Sequence, residues 1–393
     1  MAESVVRLAT GGVRVPPPLA LYIHLPWCVK KCPYCDFNSH AATAVPEAAY
    51  IDALLADLEA ALPGIWGRKI HTVFFGGGTP SLFSADGIDR ILTAVRTLTS
   101  LVPAAEITLE ANPGTVEAAR FAGYRAAGVT RVSLGIQSFD ARQLATLGRI
   151  HDAAEARRAA ELAATHFDTF NLDLMTALPG QTLAAALADI DTALTYRPPH
   201  LSVYQLTLEP NTPFGHTPPP QLPDDDAAAD MQQAIETRLA EAGMAHYEIS
   251  AYARPGHVCR HNLNYWQFGD YLGIGAGAHA KLSFHDRVVR QMRVKHPQQY
   301  MAACRTGTPV AETRTLTRAD FPFEFMMNAL RLTDGVPAAL FEARTGWPLH
   351  VCADALAAAR RRGLLDPDPT RLLPTPRGRA LLNDLLTEFL ADA

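Results

Sequence analysis

Cysteine is scarce in this chain, with six among 393 residues. Three of them, Cys259, Cys304 and Cys352, are scattered without a pairing pattern. That excludes a small disulfide-stapled module and points to a reducing cytoplasm, where thiols stay free for metal. A basic surplus is also missing. The 35 Lys and Arg are outweighed by 40 Asp and Glu, a net charge of −5, so the composition offers no argument for nucleic-acid binding. Long apolar runs are absent too, because Gly, Pro or charge interrupts every one of them. The first twenty residues carry no apolar stretch long enough for a signal peptide. The expectation is a soluble cytoplasmic protein, monomer or homodimer, with loose membrane attachment through a surface patch as the alternative. What is present is globular in character: 48% apolar and 19% charged residues, with enough length for one large domain and a smaller one.

The other three cysteines sit together in LYIHLPWCVKKCPYCDFNSH, Leu21 to His40. A strand-like run enters a loop that holds Cys28, Cys32 and Cys35 within eight residues. Three thiolates on one loop can bind three irons of a 4Fe–4S cluster and leave the fourth iron open. A structural zinc site would need a fourth ligand, for which His24 or His40 is placed. A disulfide would leave one thiol over. The cluster ranks above zinc, and zinc above the disulfide.

Along the chain, residues 1–18 read as a flexible arm stiffened by Pro16-Pro17-Pro18. From 19 to 245 strands alternate with helices in six βα units, which predicts a parallel sheet with right-handed crossovers. Six units are too few for a closed eight-stranded barrel, so the fold class is α/β, a partial (β/α)6 three-quarter TIM-like barrel; a doubly wound sheet has the same pattern. Gly76 to Thr79, Glu110, Gln137 and Asp173 fall at the C-terminal ends of predicted strands, the edge at which such folds bind ligands. Taken singly, each acidic residue could be a helix cap or turn residue. Four such positions at one edge favour a site. A proline-rich loop after Glu209 can reach across the barrel mouth. Residues 246–319 read as a connecting region containing HNLNYW, in which His261, Asn262, Tyr265 and Trp266 form either a packed corner or, as the combination favours, the edge of a flat aromatic ligand. Residues 320–393 have the pattern of a smaller, mainly helical, winged-helix-like domain. Its Arg360-Arg361-Arg362 suits a helix C-terminus better than nucleic acid.

The loop Cys28-x3-Cys32-x2-Cys35 resembles the signature of the radical S-adenosylmethionine superfamily, and GGGTP at Gly76 to Pro80 resembles its methionine-binding strand. EANPG (110–114), GIQSF (135–139), LGRIH (147–151), NLDLM (171–175) and HNLNYW (261–266) extend the match over nearly the whole chain. Together they resemble the HemW-type heme chaperones, relatives of oxygen-independent coproporphyrinogen III oxidase. The resemblance implies a 4Fe–4S cluster on Cys28, Cys32 and Cys35, whose open iron S-adenosylmethionine would chelate. Tyr22, Gly78 and Glu110 match positions that bind that molecule in the oxidases. Tyr34, Thr79, Gln137, Arg149 and Asp173 match positions that hold a second one there, and His24 matches a histidine near the cluster. The oxidases carry a further cysteine where this chain has Phe37, which argues against oxidative decarboxylation. The resemblance thus implies a chaperone that binds heme and passes it to acceptor proteins; because imidazole is a common heme ligand, His261 is the candidate axial ligand, with the nearby thiol of Cys259 as its rival. The oxidase activity is the alternative, and S-adenosylmethionine is either cleaved or only bound.

Overall fold

Strand β1, Leu19–Leu25, lies inside a sheet of twelve strands, described here from a computed structural model that covers residues 12–115 and 118–390. To one side of it run β2 (Lys69–Gly77), β3 (Ser100–Ala111), β4 (Arg131–Gln137), β5 (Thr169–Thr176) and β6 (His200–Gln205), each parallel to the one before. Helices return the chain between them: α1 (Glu47–Ala61), α2 (Ala85–Leu98), α3 (Ala118–Ala127), α4 (Ala141–Thr146), α5 (Ala153–His166) and α6 (Leu183–Thr195), with α7 (Asp225–Glu241) after β6. The six expected βα units are therefore present. Local chemistry starts the helices: Ser84 accepts from the Gly87 amide ahead of α2, and Asp152 with Glu155 forms a reciprocal capping box on α5. On α2 the spacing of Ile88, Ile91, Leu92 and Val95 buries one face against the sheet.

Two expectations are corrected. Residues 246–319 are not a connector. They supply most of β7 (Ala245–Glu248) and all of β8 (Ala251–Ala253), β9 (Asp270–Ile274), β10 (His279–Ser283), β11 (Val288–Arg293) and β12 (Val310–Thr315). The sheet runs β12-β11-β10-β9-β1-β2-β3-β4-β5-β6-β8-β7, so it stays open with β12 and β7 as edges. β9 is parallel to β1, whereas β10 to β12 extend the sheet antiparallel. The second correction concerns the arm. Residues 1–11 lie outside the described residues, but 12–18 are pinned. Val13 is buried against the C-terminal core and its amide donates to the Phe284 carbonyl (3.3 Å). Arg68 Nη2 donates to the Pro17 carbonyl (2.6 Å).

The C-terminal unit has its own core, with Phe325, Phe341, Leu356 and Leu385 meeting Val13, Phe268 and Val288 of the larger unit. Helices Phe321–Ala329, Ala339–Thr345 and Ala353–Arg361 are joined by a two-stranded ribbon of Val336–Pro337 and Arg371–Leu372. Arg360 donates to the carbonyls of Asp366 and Asp368, and Arg362 pairs with Glu388, so two of the three consecutive arginines hold this unit together. The unit is tied to the sheet edge through Ile249 N to Arg331 O (3.1 Å) and Thr333 N to Tyr247 O (3.2 Å). Among the described residues no helix is long and apolar enough to cross a membrane.

Candidate functional site

Side chains alternate across a strand, so every second residue of the parallel strands faces the inside of the open barrel. On that face stand Arg131, Ser133, Gly135 and Gln137 of β4, Asn171, Asp173 and Met175 of β5, and His200, Ser202 and Tyr204 of β6. The intervening Val132, Leu134, Ile136, Leu172, Leu174 and Leu201 are buried in the main apolar core. The inward residues line a cavity of about 980 Å3, at the upper end of the size usual for small-molecule sites.

At its C-terminal-edge mouth lie Cys28, Cys32 and Cys35, all half-buried, with Tyr22, Tyr34, Gly78, Thr79, Glu110, Gln137, Arg149 and Asp173. Apart from Gly76, each residue expected at this edge lines the one cavity. The glycine strand is laid directly on the cysteine loop: Gly78 N donates to Leu25 O (2.9 Å) and Thr79 N to Trp27 O (2.7 Å). Gly77 has φ +117, and a Cβ there would lie 2.6 Å from the His24 ring; a Cβ on Gly78 would lie 2.5 Å from the Trp27 carbonyl oxygen. Gln137 ends β4 at φ 69, a left-handed conformation rare for a side-chain-bearing residue and frequent at sites. The proline-rich loop does reach this mouth, since Phe214 N donates to Pro33 O (3.0 Å) and its ring packs by Tyr34.

Hydrogen bonds converge on the thiols. Thr79 Oγ1 donates to Cys28 Sγ and Arg149 Nη1 to Cys32 Sγ, both at 3.5 Å, while Arg149 Nη2 donates to Gly135 O (2.7 Å). Arg149 Nε is buried without a partner. Glu110 accepts from Gly77 N (3.2 Å), and its carboxyl is pushed up to about 8 by burial and then by the neighbouring Asp173. Asp173 is likewise raised by burial, against which the donors Asn171 Nδ2 (2.7 Å) and Ser133 Oγ (3.1 Å) act. His151 of LGRIH is held neutral by burial, down to about 4, and bonds the Ile136 carbonyl, fixing the Arg149 turn on β4. Three soft sulfur donors beside glycine backbone, with cationic and hydroxyl donors on the sulfurs, suit a cluster with one open iron.

The HNLNYW segment is a short helix, α8 (Arg260–Trp266), whose first amides are capped by Glu106: Arg260 N and His261 N donate to its two oxygens at 3.1 and 3.0 Å. Here the ligand-edge expectation is corrected in part. His261, Asn262 and Tyr265 line the cavity, but both nitrogens of His261 are used, Nδ1 with Thr72 Oγ1 (2.9 Å) and Nε2 with Tyr265 OH (3.0 Å). Burial brings its imidazole down to about 3, so it is neutral. Trp266 is not on the cavity wall. Its ring packs against the C-terminal core beneath the Arg331 guanidinium, 4.3 Å from the ring centre, which is the packed-corner alternative. Cys259 does line the cavity, with its thiol raised to about 12 by burial. Arg131, Asn171, His200 and Ser202 were missed as site residues. Their signal was the polar side chain at every second position of otherwise apolar strands.

Residues 22–193 match the model of the radical SAM superfamily and 316–381 that of the HemN C-terminal domain. The heme chaperone HemW of Escherichia coli K12 is 49% identical over 96% of this chain and 99% of its own length. That of Haemophilus influenzae is also 49% identical, over 96% and 99%. The solved structure of E. coli coproporphyrinogen III oxidase, described as a radical SAM enzyme, superposes with a TM-score of 0.80 at 23% identity, covering 95% of this chain and 90% of that one, and bears on the fold alone. With the three-cysteine mouth, the open parallel sheet and nearly full-length identity in agreement, the chain belongs to the HemW heme-chaperone family of the radical SAM superfamily.

Proposed function

We propose that this chain takes up heme in the barrel cavity and passes it to acceptor proteins, on a scaffold that carries a 4Fe–4S cluster at Cys28, Cys32 and Cys35. The observation that carries the reading is the 49% identity, over 96% of the chain, to a curated heme chaperone. Tyr22, Gly78 and Glu110 would hold S-adenosylmethionine beside the thiols, and Tyr34, Thr79, Gln137, Arg149 and Asp173 a second molecule. Such a cluster supplies one electron at contact distance to a sulfonium ligand; the residues around it orient that ligand and exclude water. Coproporphyrinogen oxidation is the second reading, favoured by the shared fold. Against it stands Phe37, 61% exposed at the cavity rim where the oxidases carry a cysteine. Anaerobic incubation with coproporphyrinogen III, S-adenosylmethionine and a reductant is expected to give no product, and turnover would reverse the preference.

Titration of the purified protein with heme is expected to shift the Soret band to a saturating end point; absence of stable binding would sink the proposal. Ligation by His261 requires Nε2 to leave the Tyr265 hydroxyl. On that assignment His261→Ala moves the Soret band, and Tyr265→Phe, which releases Nε2, strengthens binding. An unchanged band in both variants removes His261 as the ligand and turns attention to Cys259.

Glu110 gives a pH signature. With its carboxyl near 8, it is protonated at pH 7 in the ligand-free protein and must ionise to face a sulfonium cation. Binding of S-adenosylmethionine at pH 7 should therefore release about one proton more in the wild type than in Glu110→Gln, a difference that vanishes above pH 9. Calorimetry in buffers of different ionisation enthalpy reads it. In the ligand-free protein the same raised carboxyl works in one direction only. Its contribution to stability is full below its unfolded value and is lost as pH climbs through 8.

A further inference from the structure

The cavity has a charged far end that the cluster does not use. Arg131 opens β4 and Gln137 closes it, so about 20 Å of strand separates the two at about 3.3 Å per residue. Arg131 is 2% exposed, lines the cavity, and has its Nε and Nη1 buried without a hydrogen-bond partner. A guanidinium stays charged at all accessible pH and offers five donors in a planar fork that matches a carboxylate. The carboxylates in the neighbourhood are already occupied. Glu106, on the strand paired with the start of β4, caps α8, and Asp173 accepts from Asn171 and Ser133. His200 beside it is neutral, with both ring nitrogens taken by Asn171 Oδ1 (2.6 Å) and Tyr247 OH (2.7 Å). On the same cavity, Arg331 pairs with Glu248 yet keeps a buried Nε without a partner.

We propose that Arg131 is the docking point for a carboxylate of the ligand that fills this cavity. Two sources carry that group: a heme propionate and the methionine carboxylate of the second S-adenosylmethionine, since the first would be bound to the open iron at the mouth. The heme source rests on the function proposed above, whereas the carboxylate site itself rests on the orphaned guanidinium. A planar ligand anchored there would lie along the barrel between Arg131 and the cysteine mouth, past Asn262 and Tyr265.

The test uses the full-length protein and two matched pairs of probes, heme against its dimethyl ester and S-adenosylmethionine against its decarboxylated analogue. The wild type is expected to prefer the acid of at least one pair by tenfold or more. Arg131→Met should erase that preference while binding the ester or decarboxylated partner as the wild type does, and Arg131→Lys should keep part of it as a point charge. Circular dichroism and thermal unfolding of both variants separate a binding effect from misfolding. Loss of the heme preference identifies the propionate, and loss of the other identifies the methionine carboxylate. No acid preference in the wild type, or one that survives Arg131→Met in both pairs, overturns the proposal. A wild type that binds no heme defeats the heme reading alone, and the S-adenosylmethionine pair then decides the role of Arg131.

Discussion

Arg293→Met is expected to destabilise the protein by about 3–5 kcal/mol, the usual cost of stripping one partner from a buried ion pair. Arg293 and Asp57 are each 1% exposed. The carboxylate receives Arg293 Nε at 3.1 Å and Nη2 at 3.1 Å, Tyr300 OH at 2.8 Å and the Gly275 amide at 3.3 Å. One carboxylate thus joins α1, the end of β11, the helix Pro297–Arg305 and the turn after β9. That turn presses on the strand leading to the cysteine loop, for a Cβ on Gly275 would lie 2.4 Å from the His24 carbonyl oxygen. The loss should therefore loosen the mouth as well as the core. Its pH dependence has a definite sign. Burial already holds the Asp57 carboxyl above its ordinary value and Arg293 opposes the rise. A carboxyl raised in the folded state stabilises fully below its unfolded value and loses that contribution as pH rises through the folded one. Removing Arg293 raises it further, so the variant's deficit should grow between pH 5 and pH 8. Urea unfolding at the two pH values measures this, with Asp57→Asn/Arg293→Met expected to recover part of the loss. A deficit under about 1 kcal/mol, or one that shrinks with pH, would mean that the pair is not uncompensated when split.

The six-unit frame was legible because its signals are local. Each strand is an apolar run closed by turn residues, and each helix carries its cap and apolar spacing within a few residues. The same locality explains what was missed. β8 is three residues long and β7 four; β8 is placed by pairing with β6 and β7 by pairing with β8, not by their own composition. Val13 is buried by a phenylalanine cluster more than 250 positions away. Trp266 read as part of a ligand edge because nothing near it in sequence shows that it would pack against the C-terminal core beneath Arg331. The mouth was legible for the opposite reason: its residues belong to compact motifs at strand ends, which the parallel topology gathers at one edge. The inward row of Arg131, Ser133 and Gln137 was visible as alternation, but only a barrel with space inside turns a polar row into a cavity wall.

Replacing any one of Cys28, Cys32 and Cys35 by alanine is expected to remove essentially all iron and acid-labile sulfide from the anaerobically reconstituted protein. The other three thiols are buried outside the cysteine loop. Cys259 Sγ faces Glu106 at 3.7 Å, Cys352 Sγ faces the Leu349 carbonyl at 3.1 Å, and Cys304 is buried with its thiol pushed up to about 11. The cost in global stability should stay within about 1 kcal/mol, because the half-buried loop is held by backbone bonds and not by the sulfurs. Cys35 N donates to Cys32 O (3.2 Å), Ala42 N to Cys28 O (3.0 Å) and Phe214 N to Pro33 O (3.0 Å). The same measurement separates the cluster from zinc. A closed zinc site needs a fourth donor. His24 Nε2 donates to Asn38 O (2.8 Å) and its Nδ1 accepts from Tyr22 OH (3.0 Å), and His40 Nε2 lies 3.2 Å from Asn38 Oδ1. Among the described residues no three His, Cys, Asp or Glu side chains are grouped to hold a single ion. A cluster spreads its three ligands over three irons and needs no such convergence. Iron and sulfide near four each per wild-type chain, lost in each alanine variant, is the expected result; one zinc per chain without sulfide would replace the cluster with a structural metal.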